Sequence, residues 1–351
     1  MNSNIIIGQS SIEEDIILTI AIPTYKRFSL LKETLRSAIN LKFTIQVEII
    51  VVDNDPNNID LAIKEMSDFS AYNFKYYKNE SNYGAAGNWN RCLELAKGKL
   101  ITILHDDDLL CENFPVELEK YLSNYKGIDN IPMIGFGAYI LEQRDKSNKV
   151  EINYLYRILR NIYNKYRYFT ISNERKKIVD LQDYIFNSYY VSTLAVIMDR
   201  QKALAINGFD NYWYPIIDYE FYIRWIQSYG DVVYINTKVS KYRILDNSCM
   251  QSEVITGVID KNYELRMKVF NEERNLIGVN NFAKIMREIE KTTWSINWRN
   301  NAEYKMSMFD TFKLIFLKLK CLLSIKKIRL RRNYREQHLT FCHNIMLLLC
   351  V

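Results

Sequence analysis

The sequence predicts an α/β fold: a Rossmann-like, mostly parallel sheet flanked by helices, with a helical extension behind it. Three observations predict this. Short β-rich apolar runs at 16–22, 47–52 and 100–104 alternate with stretches of helical period. Each run is apolar but for one residue (Thr19, Glu48 and Thr102), as in a strand covered on both faces of a parallel sheet. From about Ser252 the pattern turns helical and stays so.

The first run, 16–22, is stopped by Pro23. Over 28–39, Leu30, Leu31, Thr34, Leu35 and Ala38 share one helical face. Run 47–52 ends in the turn Asp53-Asn54-Asp55-Pro56. A helix over 59–69 and a short strand over 74–77 follow. The stretch 84–97 is helical, with Gly98 just past its end. Run 100–104 leads straight into His105-Asp106-Asp107-Asp108. The polar, Tyr-rich stretch 148–177 reads as an insertion or long loop. A strand over 191–198, a turn at Gly208-Phe209-Asp210, a short helix over 219–229 and a strand over 232–235 complete the body. The expected division is a domain over 1–250 and a helical region over 251–351.

Composition narrows the function. The chain has 351 residues, 48% hydrophobic and 25% charged, which excludes disorder. None of the six cysteines forms a CxxC pair, and with three histidines no structural zinc site is expected. Scattered thiols fit a reducing compartment. The N-terminus is too polar for a secretory signal, and no apolar run has bilayer-spanning length, so a cytoplasmic location is expected. From Thr311 onward nine basic residues face Glu336 alone, a charge of +8. The whole chain carries +6, so the body carries −2, and no nucleic-acid partner is expected.

In a parallel sheet, ligands sit beyond the carboxyl ends of the strands. Three of those ends carry polar groups: Thr24 with Tyr25, Asp53, and Asp106–Asp108. Three adjacent carboxylates at a buried strand end repel one another, and a divalent cation removes that repulsion. A solvated Asp-rich turn is the other reading. The phosphate loops GxxxxGKS/T and GxGxxG are absent. The small-residue stretch 82–88 opens a helix. Its N–H groups suit a phosphate, or the glycines serve close packing.

These segments, in this order, resemble glycosyltransferase family 2. The residues that carry the resemblance are Thr19–Arg27, Glu48–Asn54, Asn82-Tyr83-Gly84, Ala96–Ile101 into Leu104–Asp108, Gly208-Phe209-Asp210, and Asp218-Tyr219-Glu220 with Arg224. The resemblance implies the GT-A fold and transfer from a nucleotide-diphospho-sugar. It implies that Pro23, Thr24, Tyr25, Arg27 and Asp53 hold the nucleotide, together with Asn82 and Gly84. Asp106 is assigned to the ribose or to a supporting role. Asp107 and Asp108 are assigned to Mn2+ or Mg2+ and the pyrophosphate. His105 stands where relatives often have Asp. Asp218 is expected as the general base, with Glu220 second. Arg224 orients the base, meets phosphate or forms a plain salt bridge. Leu245 replaces a histidine that often ligates the metal in this family, leaving Arg243 for the diphosphate.

The implied function is an inverting transfer from a UDP-sugar to a glycan or lipid-linked acceptor in surface polysaccharide synthesis. A sugar nucleotidyltransferase and a non-catalytic binding module are the alternatives. In the tail, Phe312, Ile315, Phe316, Leu319, Leu322 and Leu323 form an apolar helical face, with Lys313, Lys320, Ser324 and Lys327 placed opposite. That pattern reads as peripheral contact with the inner face of the cell membrane, or as a helix packed on the body.

Overall fold

The computed structural model describes residues 1–8, 15–125, 127–128, 131–144, 154, 157–158, 176–181, 184–185, 194–245, 251–272, 279–297 and 307–329. The chain divides into two compact units. One comprises Met1–Glu142, Arg175–Trp213 and Ile217–Ile244; the other comprises Gln143–Glu174, Tyr214–Ile216 and Leu245–Val351.

In chain order the elements of the first unit are β1 (Ser3–Ile7), β2 (Leu18–Thr24), α1 (Phe28–Ile39), β3 (Val47–Asp53), α2 (Ile59–Glu65), β4 (Lys75–Asn79), α3 (Gly84–Leu95) and β5 (Leu100–Ile103). Then come β6 (Leu109–Leu110), α4 (Phe114–Leu122), β7 (Ile134–Glu142), β8 (Lys176–Val179), β9 (Met198–Asp199), α5 (Arg200–Ala205), α6 (Ile217–Tyr229) and β10 (Val232–Ile244).

The main sheet has the order β1-β4-β3-β2-β5-β9. Strands β4, β3, β2 and β5 are parallel, and the edges β1 and β9 are antiparallel. Every residue of β2 and β5 is buried, as continuous apolar central strands require. Helix α1 buries Leu31, Thr34, Leu35 and Ala38, the face its period predicts. One core of Leu18, Ile20, Ile22, Leu35, Val51, Leu104 and Phe114 joins sheet and helices.

Strand β2 runs one residue past Pro23, the expected stop. The Ala21 carbonyl accepts from Leu104 N, on the β5 side. A residue's N–H shares its carbonyl's side and alternate residues repeat, so the missing N–H of Pro23 faces β5 just where β5 has ended. The cost of the proline inside the sheet is therefore small. Register places Thr24 beside Asp53 and Asp53 beside Lys78, gathering these strand ends in one row.

The second sheet is absent from the sequence reading, apart from the first residues of β10. Its order is β6-β10-β7, with β8 pairing β10. Strand β10 extends to Ile244, well beyond the expected 235, because β7 pairs it in parallel along almost its whole length. The expected strand over 191–198 reduces to β9 and an isolated bridge between Ile134 and Ile197; residues 191–193 lie outside the described residues.

The described part of the second unit holds α7 (Ser252–Glu272), α8 (Val279–Asn297) and α9 (Met308–Arg329). Helix α8 packs on both α7 and α9. Phe270 meets Phe282 edge to face, and Arg266 pairs with Glu290 at 2.7 Å. Helix α9 buries Thr311, Leu314 and Lys318. Lys313 and Lys320 are exposed on the same side as Phe312 and Phe316, which corrects the expected opposition of an apolar and a basic face. The segment after residue 329 and most of 148–177 lie outside the described residues.

Candidate active site

Strand β5 delivers the acidic turn to the row of strand ends. Thr24 Oγ1 donates to Asp106 Oδ2 at 2.8 Å. Arg27 Nη1 lies 2.8 Å from Asp107 Oδ2 and 3.5 Å from Asp106 Oδ1. One guanidinium therefore bridges two of the three carboxylates. Burial pushes the Asp106 carboxyl up, and Arg27 and the Thr24 hydroxyl act against that.

Asp108 is fully buried. Its Oδ1 accepts from the backbone N–H of Arg243 at 2.8 Å. Its carbonyl accepts from Thr34 Oγ1 at 2.8 Å, which ties the turn to α1. Its Oδ2 is buried and has no hydrogen-bond partner among the described residues. His105 Nδ1 lies 3.7 Å from that oxygen, too long for a hydrogen bond. Burial raises the Asp108 carboxyl to about 7, with neighbouring Asp107 adding to the rise and His105 opposing it.

One ligand atom from each of His105, Asp107 and Asp108 falls within 4.8 Å of the other two. A buried carboxylate oxygen without a donor is costly unless a cation meets it. Two carboxylates and one imidazole suit a divalent ion such as Mn2+, and the carboxylates alone suit Mg2+. The expected pair Asp107 and Asp108 thus gains a third candidate ligand in His105.

The Pro23–Arg27 loop caps β2. Tyr25 is exposed, with Lys26 Nζ 5.1 Å from its ring centre. Asp53 is buried and well supplied. Its Oδ2 accepts from Tyr76 Oη at 2.9 Å and Lys78 Nζ at 2.7 Å, and its Oδ1 from Asp55 N at 2.9 Å. Those bonds give Asp53 a structural task at the strand ends, on the row that Thr24 closes.

Asn54, beside Asp53, knits in the small-residue stretch. Its Oδ1 accepts from Tyr83 N and Asn79 Nδ2, and its Nδ2 donates to Asn82 Oδ1 and the Gly84 carbonyl. Asn82 Oδ1 also accepts from Gly84 N at 2.9 Å. Gly84 opens α3 with φ of 71°, a left-handed conformation in which glycine carries no Cβ penalty.

Asp218 and Glu220 lie on α6. Asp218 is half-buried in the first turn. Glu220 is buried and bound by Arg224, whose Nε and Nη2 approach its two oxygens at 2.8 and 2.7 Å. Arg224 also donates to the carbonyls of Ile206 and Gly208. Of the three readings of Arg224, this geometry is the salt bridge. Arg243 Nη2 pairs with Glu33 Oε2 at 2.6 Å, with the guanidinium buried.

Aromatic contacts join α6 to the acidic turn. Phe221 packs on Phe209 at 4.3 Å, Phe209 meets Trp89 at 5.1 Å, and Trp89 stacks on His105 at 5.1 Å. Asn90 fastens the same turn, donating to the Phe209 carbonyl and accepting from Phe209 N. The structure thus brings together Thr24, Arg27, Asp106, Asp107, Asp108 and the backbone of Arg243. Sequence reasoning missed Asn90, Trp89 and Glu33, and named Asn54 only as part of a turn and a motif, without a task.

The comparisons agree with this architecture. Among solved structures, Staphylococcus aureus TarS 1–349 in complex with UDP-GlcNAc superposes with a TM-score of 0.54 at 14% identity, covering 90% of this chain and 83% of that one. The mannosyltransferase PcManGT from Pyrobaculum calidifontis, in complex with GDP-Man and Mn2+, gives 0.52 at 13% identity, covering 95% and 86%. At these identities the likeness concerns the fold, which is GT-A. An uncharacterized glycosyltransferase, MJ1057, of Methanocaldococcus jannaschii is 27% identical over 61% of this chain and 66% of its own length. The uncharacterized protein MT1568 of Mycobacterium tuberculosis is 26% identical over 59% of this chain and 61% of its own length. The chain therefore spans a little under two thirds of the length of these relatives. A Campylobacter jejuni GalNAc(5)-diNAcBac-PP-undecaprenol beta-1,3-glucosyltransferase is 34% identical over 38% of this chain and 41% of its own length. The family model for Glycosyl transferase family 2 matches residues 19–178, a stretch holding the Thr24 loop, Asp53 and the whole acidic turn.

Proposed function

We propose that the chain transfers a sugar from a nucleotide-diphospho-sugar, a UDP-sugar, to a glycan or lipid-linked acceptor, with inversion, in surface polysaccharide synthesis. The observation that carries this reading is the buried, donorless oxygen of Asp108 beside Asp107 and His105 at the carboxyl end of β5. Asp107 and Asp108, with His105, would hold Mn2+ or Mg2+. A cation held there neutralises the charge of a departing diphosphate. The neighbours solved with UDP-GlcNAc and with GDP-Man and Mn2+ support the donor class and the metal. The Campylobacter relative's polyprenol-linked acceptor supports a lipid-linked one.

The chain's own residues then have distinct tasks. Thr24 and Arg27 hold the acidic turn rigid, so no reorganisation is needed when the donor arrives. Tyr25, exposed at the loop, offers a flat face for the base, while Pro23 and Asp53 fix the loop's floor. Asn82 accepts from the Gly84 N–H and so fixes the start of α3, whose following N–H groups would meet the phosphates. Asp218 takes the proton of the acceptor hydroxyl as its oxygen attacks the anomeric carbon opposite the leaving diphosphate. Glu220 is tied to Arg224, which favours Asp218 between the two carboxylates.

Incubation with radiolabelled UDP-sugars and a panel of acceptors, with Mn2+ and with chelator, tests this. Chelator-sensitive transfer supports it. Activated-sugar synthesis from a sugar phosphate and UTP would instead indicate a nucleotidyltransferase. Binding of nucleotide sugar without release or transfer would indicate a binding module.

A further inference from the structure

We propose that the outward stripe of α9 is a docking surface for a bilayer bearing anionic lipid headgroups. On this helix Phe309, Phe312 and Phe316 are 76%, 57% and 56% exposed. At 3.6 residues per turn, these three fall with Lys313 and Lys320 inside a stripe about 100° wide. Thr311, Leu314 and Lys318 face the other way and are buried. A helix that served only to cover its own unit would turn its aromatic side inward. Here three phenylalanines point out while a threonine and a lysine pack in.

The charge on the stripe identifies the occupant. Lys313 and Lys320 are exposed on it, and it contains no carboxylate. Asp310, the acid of the first turn, lies off the stripe and accepts from the N–H and hydroxyl of Ser307. Lys320 Nζ sits 4.5 Å from the Phe316 ring centre. Rings that enter the acyl boundary beside ammonium groups at phosphate level have this layout. A second copy of the chain would set lysine against lysine. The sequence beyond adds Lys326, Lys327, Arg329, Arg331, Arg332 and Arg335 without an acid among them.

Flotation of the full chain with vesicles tests the proposal, using phosphatidylcholine alone and phosphatidylcholine with about one quarter phosphatidylglycerol. The wild-type chain floats with the anionic vesicles, and added salt weakens binding. Lys313→Gln with Lys320→Gln weakens it about 30-fold. Phe309→Ser, Phe312→Ser and Phe316→Ser together abolish it, with the melting temperature unchanged because all three rings are exposed. Wild-type protein that floats with neither vesicle overturns the proposal. So does equal binding to both, or a triple variant that binds as wild type. A wild-type dimer that the triple variant converts to monomer also overturns it, assigning the stripe to a second copy. The readout involves no sugar transfer, so it stands apart from the catalytic reading.

Discussion

The carboxylate of Asp108 is held by the backbone N–H of Arg243, 135 positions away in the chain and 2.8 Å away in space. The second sheet thereby clamps the turn that the first sheet delivers. The side-chain oxygen left over, Oδ2, has no donor among the described residues.

Stability should depend on pH through this group. Its folded value, about 7, lies above the ordinary 3.8 of the unfolded chain. The stability it contributes is therefore complete below about pH 4 and lost as pH rises through about 7. Metal-free protein should melt at lower temperature at about pH 8 than at about pH 5. Asp108→Asn should flatten that difference in calorimetry, and Mn2+ should raise the melting temperature more at the higher pH. An unchanged slope in the variant would place the effect on another group.

Asp107→Asn removes a half-buried carboxylate from the candidate metal set without opening the core. Sugar transfer should fall by about 100-fold or more, the scale on which one preorganised charged group acts. Melting should move by less than about 1 kcal/mol, since Arg27 is largely exposed. Initial rates over a range of Mn2+ concentrations, beside a thermal melt, check both halves.

Asp218 and Glu220 should separate cleanly. Asp218→Asn should lower turnover by about 100-fold or more with the fold intact, as loss of a general base does. Arg224→Ala leaves the Glu220 carboxylate buried without its partner and should cost about 3 kcal/mol of stability. Urea unfolding of both variants decides the matter. A destabilised Asp218→Asn with normal turnover would remove it as the base.

The turn at Gly208 should tolerate no side chain. Gly208 has φ of 58°, and a Cβ there would stand 2.2 Å from Asn90 Oδ1. Gly208→Ala should therefore displace Asn90 and free the Phe209 backbone. Asn90→Ala, which deletes both hydrogen bonds to Phe209, should cost about 2 kcal/mol. Equal melting of both variants and wild type would show that this turn is held by its aromatic contacts instead.

Much of the first sheet was legible because its central strands are buried on both faces and therefore mostly apolar. The runs at 16–22, 47–52 and 100–104 became β2, β3 and β5 within a residue or two. The second sheet was not legible. Strand β7, Ile134–Glu142, is buried only in its first half, and β6 is two residues long. Neither has a local pattern that outweighs its neighbours, since pairing partners supply their stability.

The acidic turn and the Thr24 loop stood out by residue type and position, because chemistry restricts which side chains can serve at a strand end; the Asp218 segment stood out only through the family resemblance. Contacts decided the rest. That Asp53 is engaged by Tyr76 and Lys78, that Glu220 is tied to Arg224 and that His105 joins the acidic pair all depend on neighbours distant in sequence or on turn geometry. The same holds for the outward face of α9. The helical period puts Phe309, Phe312, Lys313, Phe316 and Lys320 on one stripe, but only packing against α8 selects which face turns inward.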